Sequence, residues 1–273
     1  MAPLPEDSAG IALSEPLSDD EYRQLADLLE RHPDKKFYVS QLDSSTGTQI
    51  TDLEFLRFFP NLRVLSLRLP WLQTLDGIER LRHVEKLSIF KSSRRMSAGP
   101  LAALTHLDYL SLDGQYSDRN ALRRLTALTN FSMGFAGKVP DLSFLPPNLT
   151  RFSMSQGSVT DINALAELSQ LQTLELHKVQ SLADLSPLAR ATGLRSLYLA
   201  YLNKVSELFD MSALTQLTEL TVSMLTHLRD LRPVLTAPKL TSLSVYGLPG
   251  LEPGSWHETC TGWLAQGKPP FWA

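Results

Sequence analysis

The chain has 273 residues, 43% of them hydrophobic, with a net charge of −3 and a single cysteine. This length and apolar content allow one continuous core, and the slight negative charge gives no general affinity for nucleic acid or an anionic membrane. The lone Cys260 excludes an intrachain disulfide and favours a reducing compartment. The N-terminal residues lack the pattern of a signal peptide, and no apolar stretch reaches membrane-spanning length, so we expect a cytoplasmic protein.

The N-terminal segment predicts a mobile lead-in followed by a helix. Residues 1–16 are rich in proline, acidic and small residues, a composition typical of a poorly ordered terminus. A helix is predicted from Ser18, because Ser18 and Glu21 have the spacing of a capping box. We expect residues 1–36 to form an N-terminal cap, since stacked repeats need their first edge covered.

A repeated pattern organises the middle of the chain. The segment LQTLELHKVQSLADLSPLARATG begins at Leu171, and similar segments follow at intervals of 23 residues. In each, two leucines two places apart point to one face of a strand, and later leucines three apart suit a short helical or 3₁₀ return. Neither half can bury its apolar side alone, so the coils must stack. After a degenerate strand at Phe37–Leu42, nine clear coils begin at Leu62, Val84, Leu107, Leu128, Leu149, Leu171, Leu194, Leu217 and Leu240.

The period and the L-x-x-L-x-L motif resemble the leucine-rich-repeat family. Segments such as ITDLEFL and LADLSPL look closest to its short-repeat, internalin-like class. The resemblance covers residues 37–251 and implies an α/β solenoid, a right-handed superhelix with a parallel β-sheet on its concave side and short helical or 3₁₀ turns on its convex side. Proteins of that class are non-enzymatic and bind other proteins along the concave face.

One departure from the family concerns the turn after each strand. The family's L-x-x-L-x-L-x-x-N asparagine satisfies backbone groups at this turn, but the last four coils have an apolar residue there. These residues are Val179, Leu202, Leu225 and Leu248. The backbone polar groups of the turns must therefore be satisfied by another route.

Polar residues recur on the return side of the coils. Five aspartates each precede an apolar residue: Asp52, Asp141, Asp161, Asp184 and Asp230. Two places after the first four of these aspartates lie Glu54, Ser143, Asn163 and Ser186, respectively. We predict that the residues of this second set cap the short helical turns. After Leu251 the pattern stops, and Trp256, Trp263 and Leu264 predict a helical C-terminal cap over residues 252–273, packed on the last coil.

The sequence contains no recognisable catalytic motif, and we expect no catalytic residue, metal site or cofactor. His257 and Cys260 could meet on a helix, but no third group is evident to orient them. His83 and His106 occupy the same place in adjacent coils and should stack, yet no further ligand follows them. A solvated polar position explains this pair better than a metal site.

The outward face of the predicted strands carries the candidate binding residues. Its fifth place holds six serines, which either let a partner backbone approach closely or are merely harmless on a solvated strand. Towards the C-terminus, aromatic side chains and a methionine fall on outward or rim places, as interface cores favour, although scattered surface aromatics are common. The predicted partner-binding residues are Glu175, His177, Tyr198, Tyr201, Met224 and Tyr246, extended at lower density by Phe135, Tyr109 and Phe90.

Charge is distributed unevenly along the first hundred residues. Residues 61–99 hold eight bases and three acids, whereas residues 1–34 hold nine acids and two bases. The basic segment, with Lys91–Arg95 at its densest, either steers an acidic partner or phosphate, or complements the acidic cap. The sequence thus favours a protein-recognition scaffold, monomeric when unbound, that acts as an adaptor, an inhibitor or an immunity-type binder. A delivered effector and a nucleic-acid or phosphate binder are the alternatives.

Overall fold

A computed structural model describes residues 10–33, 35–41, 49–90 and 94–269, without the side chains of residues 135 and 136. The chain divides into two compact units, residues 1–135 and 136–273. Both are built from parallel strands joined by short return segments. Each of the nine predicted coils contains a strand of this kind, and the degenerate first strand forms as well.

The first unit contains a parallel sheet in the order β1-β2-β3-β4-β6-β8. A separate pair of two-residue strands, β5 and β7, lies on the return side. The strands are β1 Gly10–Leu13, β2 Lys36–Ser40, β3 Val64–Arg68, β4 Lys86–Phe90, β5 Met96–Ser97, β6 Tyr109–Asp113, β7 Tyr116–Ser117 and β8 Asn130–Lys138, the last of which ends in the second unit. Helix α1 is Asp19–Glu30, and the 3₁₀ helices are Glu54–Phe58, Ile78–Arg80, Gly99–Ala103 and Arg119–Arg124.

The second unit repeats the same construction. Its strands are all parallel and lie in chain order in the sheet. They are β9 Arg151–Ser158, β10 Thr173–His177, β11 Ser196–Ala200, β12 Glu219–Ser223 and β13 Ser242–Tyr246. The 3₁₀ helices are Asn163–Glu167, Ser186–Arg190 and Arg232–Thr236, and helix α2 is Ser255–Ala265.

The repeat leucines form the core, as their spacing predicts. Leu174 and Leu176 of β10 are fully buried, and so is Leu182, the first leucine of the return segment. Strands β8 and β9 fill the corresponding places with phenylalanine and methionine, and all four of these side chains are at most 4% exposed. The larger side chains therefore substitute for leucine within one continuous pattern of burial in each unit.

The N-terminal lead-in was expected to be mobile, and this prediction is wrong for residues 10–13. They form β1, which pairs in parallel with β2, and helix α1 connects the two strands. The short run Gly-Ile-Ala-Leu supplies apolar strand formers, and Leu13 is buried. At Gly10 an added Cβ would lie 2.1 Å from the Lys36 carbonyl oxygen, so the close approach of β1 to β2 requires glycine. Residues 1–9 lie outside the described part of the chain.

Helix α1 begins as the sequence predicts. The Ser18 side chain accepts a hydrogen bond from the Glu21 amide, and the Glu21 carboxylate accepts one from the Ser18 amide at 2.9 Å. Tyr22, Leu25 and Leu29 bury one side of the helix, and the Tyr22 ring stacks on Phe58 with 5.3 Å between ring centroids. The helix thus covers the first coils of its unit.

The return segments are capped differently from the prediction. The caps are the aspartates themselves: the Asp184 Oδ1 accepts a hydrogen bond from the Ser186 amide at 2.8 Å, and Asp52, Asp141, Asp161 and Asp230 do the same two residues ahead. The predicted caps Glu54, Asn163 and Ser186 are instead the first residues of their 3₁₀ helices. Asp210, which sequence analysis missed, caps Ser212 in the same way at 2.9 Å.

A backbone ladder replaces the family's asparagine. The eighth residue of the last four coils, Lys178, Tyr201, Met224 or Gly247, has a left-handed backbone with φ between 53° and 66°. This conformation turns the amide of one coil towards the next: Lys178 donates to Ala200, Tyr201 to Ser223 and Met224 to Tyr246, at 2.9 to 3.0 Å. The ladder of the sheet therefore extends one residue past each strand, and the apolar residue that follows can be buried.

One predicted surface differs in the structure. Ser66, Ser88 and Ser111, expected to face solvent, are only 5 to 7% exposed. Serine has a short side chain, so longer side chains on the same face cover it. Arg68 and Phe90 are two of these longer side chains, and the Arg68 guanidinium lies 5.4 Å from the centre of the Phe90 ring. In α2, which forms as predicted, Trp263 is fully buried, whereas Leu264 is 56% exposed.

The burial of Leu174 predicts a large loss of stability on truncation. Leu174→Ala should lower the free energy of unfolding by about 2–5 kcal/mol, because the flanking strands prevent the cavity from collapsing. Ser153→Ala, on the outward face of the neighbouring strand, should change it by less than about 0.5 kcal/mol. Urea titration measures both, and equal losses in the two variants would show that the two faces of the strands are wrongly assigned.

The aspartate caps predict a pH-dependent contribution to stability. Hydrogen bonds from the Ser186 side chain and amide hold the pKa of Asp184 below its usual value, so the cap stabilises the fold above the unfolded pKa and is lost as the pH falls through the lowered folded pKa. Asp184→Ala should cost about 1 kcal/mol at neutral pH, whereas Asp184→Asn keeps an acceptor oxygen and should cost less. Urea titrations at pH 7 and pH 3 test this. An alanine variant as stable as the native chain at pH 7 contradicts it.

Candidate functional site

The sheet register in the second unit gathers the predicted C-terminal residues on one face. In the fifth place of the coils, Glu175 of β10 pairs with Tyr198 of β11. In the seventh place, His177 begins a row that runs through Ala200 and Ser223 to Tyr246. Because parallel strands lie about 4.8 Å apart, these rows bring residues from four coils into one surface. We name it the aromatic face: Glu175, His177, Tyr198, Tyr201, Met224 and Tyr246.

Two small residues lie under the large side chains of the aromatic face. Ala200 and Ser223 both point outward from the sheet in the seventh place, yet neither has any exposed surface. The larger side chains of the face therefore cover them. Tyr201 and Tyr246 are 40% and 44% exposed, so these two rings present the most open apolar surface of the face.

His177, Lys178 and Tyr201 form a contact cluster at one end of the aromatic face. The His177 ring meets the Tyr201 ring edge-on, with 5.3 Å between centroids and planes 88° apart. The Lys178 ammonium lies 5.2 Å from the centre of the Tyr201 ring, within the range of a cation–π contact. Partial burial lowers the pKa of His177, and the nearby Lys178 charge lowers it further. Both effects favour the neutral form of the imidazole.

Tyr198 and Tyr246 are linked across the intervening strand. Burial raises the pKa of Tyr198, and a hydrogen bond with the Tyr246 side chain raises it further. Both effects keep the Tyr198 phenol protonated at neutral pH.

Met224 completes the face by packing on the last coil. A Cβ added at Gly247 would lie 2.4 Å from the Met224 sulfur, so the thioether occupies the space that any side chain at position 247 would need. Met224 is half-buried in this position. A polarizable thioether held beside two tyrosines gives an apolar surface that adapts to different partner shapes.

Two of the three N-terminal extensions of the predicted site, Tyr109 and Phe90, lie apart in the structure. Tyr109 is 37% exposed and lies at the start of β6 beside Lys86, whereas Phe90 is half-buried at the end of β4 beside Arg68. They thus occupy opposite ends of the strands of the first unit. The side chain of Phe135 lies outside the described part of the chain.

Sequence analysis missed Lys178 as a member of the site. It occupies the eighth place of its coil, as Tyr201 and Met224 do in theirs, and has the same left-handed backbone. The repeat alignment therefore contained the signal, but an exposed lysine after a strand is too common to be singled out by composition. Its contact with Tyr201 depends on the position of the next coil.

The structure adds little support for the other candidate sites. The rings of His83 and His106 stack as predicted, with 6.2 Å between centroids, and the described residues contain no group of three or more side chains suited to a metal ion. His257 and Cys260 lie on α2, where burial raises the pKa of the thiol. A raised pKa disfavours the thiolate that a cysteine nucleophile requires.

Some arginines of the early basic coils form ion pairs. Arg63 forms an ion pair with Glu85, Arg80 with Glu54 at 3.0 Å, and Arg57 reaches Asp19 of α1 at 3.1 Å. Only the last of these pairs joins the acidic N-terminal helix, and the other two join neighbouring coils. Arg94 and Arg95 are exposed, and Lys91 lies outside the described residues.

Comparison with known proteins identifies the fold. No protein-family profile and no curated protein sequence matches the chain. Among solved structures, the internalin InlF of Listeria monocytogenes aligns with a TM-score of 0.58 and 24% identity over 79% of this chain and 69% of its own. Internalin C2 of the same organism aligns with a TM-score of 0.52 and 22% identity over 64% of this chain and 76% of its own. The fold is that of a leucine-rich-repeat solenoid.

The leucine-rich-repeat assignment confirms the fold class and the resemblance that the sequence indicated. At these identities the likeness concerns the fold alone. In the described part of the leucine-rich-repeat chain, no helix has both the length and the apolar character needed to cross a membrane.

The His177 environment predicts a specific titration. Because burial is the larger cause of the lowered pKa and Lys178 the smaller, Tyr201→Ala should raise the pKa of His177 by uncovering the ring, and Lys178→Gln should raise it less. NMR titration of the imidazole measures both shifts, with His227 as an internal reference. If the pKa of His177 is unchanged in Tyr201→Ala, side chains other than Tyr201 bury the imidazole ring.

Proposed function

We propose that the chain is a non-enzymatic protein-recognition scaffold that binds a partner protein through the aromatic face. The observation that carries the proposal is the joint placement of Tyr198, Tyr201, Tyr246 and Met224 on one sheet surface, with two rings at least 40% exposed. Tyrosine is the residue type enriched in interface hot spots, and methionine is enriched in interface cores. The resemblance to internalin-like repeats supports the same use of this face.

The rigidity of the face favours binding without rearrangement. Every residue of the aromatic face lies in a strand or on the left-handed ladder position directly after one, and each of these strands pairs with a neighbouring strand in the parallel sheet. Binding would therefore cost the scaffold little conformational entropy, and most of the entropy loss would fall on the partner. Flat sheet surfaces of this kind suit a protein better than a small molecule, which needs a concave pocket.

Phosphate or nucleic-acid binding through the early basic coils has less support. Two arginines of these coils are engaged with carboxylates, Arg63 with Glu85 and Arg80 with Glu54. Nucleic-acid affinity rests on several free cations that release counterions. We therefore place the binding site on the aromatic face rather than on residues 61–99.

The proposal predicts a loss of affinity without a loss of stability. Tyr201→Ala and Tyr198→Ala should each weaken partner binding by about 2 kcal/mol or more, because both remove an aromatic anchor. Tyr201→Ala should leave the free energy of unfolding nearly unchanged, since its ring is 40% exposed and outside the core. The partner is first isolated by pull-down from the native host, and affinities are then measured by titration calorimetry.

Leu264→Ala provides the matched control. Leu264 is an exposed apolar side chain on α2, away from the sheet, and its truncation should leave affinity unchanged. If both tyrosine variants bind the partner as tightly as the native chain while remaining folded, the aromatic face is not the binding site. If Leu264→Ala weakens binding more than the tyrosine variants, the site lies on the C-terminal helix.

A further inference from the structure

One edge of the sheet in the second unit carries basic residues beside the aromatic face. They lie between the eighth and thirteenth places of three successive coils, after β10, β11 and β12. We name this row the basic edge: Lys178, Lys204, His227 and Arg229. Tyr201 and Met224, in the eighth place of their coils, precede Lys204 and His227 by only three residues, so the aromatic face and the basic edge are continuous.

Three residues of the basic edge, Lys204, His227 and Arg229, line a depression in the turns. Its volume is about 760 Å³. The lining combines Lys204, His227 and Arg229 with three neutral side chains that can donate hydrogen bonds, and it contains no aspartate or glutamate. These neutral residues are Asn203, Ser206 and Thr226, and Ala183 and Gly250 complete the wall.

Glycine at position 250 is what lets the last coil approach this wall. A Cβ added there would lie 2.6 Å from the Thr226 carbonyl oxygen and 3.1 Å from that of Leu228. No side chain therefore projects from position 250 to fill the depression. The structure keeps it open and lined by donors.

The cations of the basic edge lack carboxylate partners. Within the described ranges, neither Lys178, Lys204 nor Arg229 forms an ion pair, although other arginines of the repeats do. Arg232, only three residues after Arg229, pairs with both Asp230 and Glu258. Lys178 instead contacts the Tyr201 ring, where its ammonium remains available to a second, anionic group.

The opposite end of the same strands carries charges of both signs. Glu219 holds the third place of β12, whereas the exposed Arg151 and Arg195 hold the third and second places of their coils. Charge alone therefore does not select one edge, and the preference for the basic edge rests on its depression and on the aromatic side chains beside it.

We propose that the partner of the aromatic face presents an acidic polypeptide segment, whose carboxylates occupy the basic edge while its apolar side chains pack on Tyr201, Met224 and Tyr246. This inference rests on the proposed function and names the partner's chemistry. Carboxylates match the lining because lysine, arginine, hydroxyl and amide groups all donate hydrogen bonds to them. An extended segment along the edge reaches three coils, about 10 Å apart from first to third.

The composition of the site favours a polypeptide over other polyanions. Tight non-specific nucleic-acid binding uses about six to ten phosphate contacts, whereas this edge offers three permanent cations. Anionic lipid surfaces recruit clusters of about four to eight lysines or arginines. The adjacent tyrosines and methionine instead match the apolar side chains that alternate with acidic ones in a protein segment.

The test is selection from a random 16-residue peptide library displayed on phage, with the full chain as bait. Peptides enriched by the native chain should carry net negative charge and at least one large apolar residue. A representative selected peptide is then synthesised, and its affinity is measured by calorimetry at low and high salt. We expect its affinity to fall at least tenfold in the Lys204→Glu/Arg229→Glu double variant and to depend less on salt there.

A matched control reverses two charges at the other end of the strands. Arg151→Glu/Arg195→Glu makes the same change in net charge on exposed arginines in the third and second places of their coils, and should weaken binding less than threefold. Circular dichroism and urea titration establish that both double variants remain folded. The difference between them therefore reports position rather than total charge.

The outcomes separate this inference from the proposed function. If Tyr201→Ala abolishes peptide binding but the basic-edge double variant does not, the aromatic face binds and the acidic-partner inference is wrong. If neither change matters, both proposals fail. The inference is also overturned if selection yields neutral or basic peptides or none above background, or if single-stranded DNA or phosphatidylserine vesicles bind more tightly than the selected peptide with the same dependence on Lys204 and Arg229.

Discussion

The stacking of one coil's leucines on those of the next is the constraint on which the rest of the structure depends. A single coil such as residues 171–193 has a strand with two inward leucines and a return segment with three more, and it cannot bury either alone. Stacking removes all of them from water at once and fixes the register of the parallel ladder. Once the register is fixed, every outward place is aligned with its equivalents on neighbouring coils. The aromatic face exists because the leucines align the tyrosines.

The left-handed residue after each strand connects this packing to the binding surface. A non-glycine residue in that conformation costs about 1–2 kcal/mol, yet Lys178, Tyr201 and Met224 all adopt it. The cost is offset because each amide then donates to the neighbouring coil, which allows Val179, Leu202 and Leu225 to be buried directly afterwards. The same turn directs the eighth side chain to the rim of the sheet. The feature that replaces the asparagine ladder thus also positions the side chains that we propose as binding residues.

The sequence predicted those features that recur, and it predicted poorly those that depend on a single neighbour. The leucine spacing identified ten of the strands and the 3₁₀ returns, because burial repeats with the same period. It did not identify β1, whose four residues have no repeat and pair only because α1 returns the chain to β2. The aspartates were recognised as structural residues of the return side, but the capping role was assigned to the residues two places later. A side chain that bonds an amide two residues ahead and a side chain that caps from the start of the helix cannot be told apart by spacing alone. The burial of Ser66 and the contact of Lys178 with Tyr201 depend on side chains of adjacent coils, which spacing alone does not reveal.

Repeat architecture also separates the proposed binding surface from the core. Inward and outward residues alternate along each strand, so Leu197 and Leu199 serve stability while Tyr198 between them is open to selection for binding. Because Tyr201 and Lys204 follow in the same coil, one repeat contributes an apolar contact and a cation to the same edge. A ligand that spans several coils adds such paired contacts in a line, and their order along the sheet sets its direction. The arrangement therefore favours an extended, alternating acidic and apolar segment over a compact ligand, which could reach only one coil at a time.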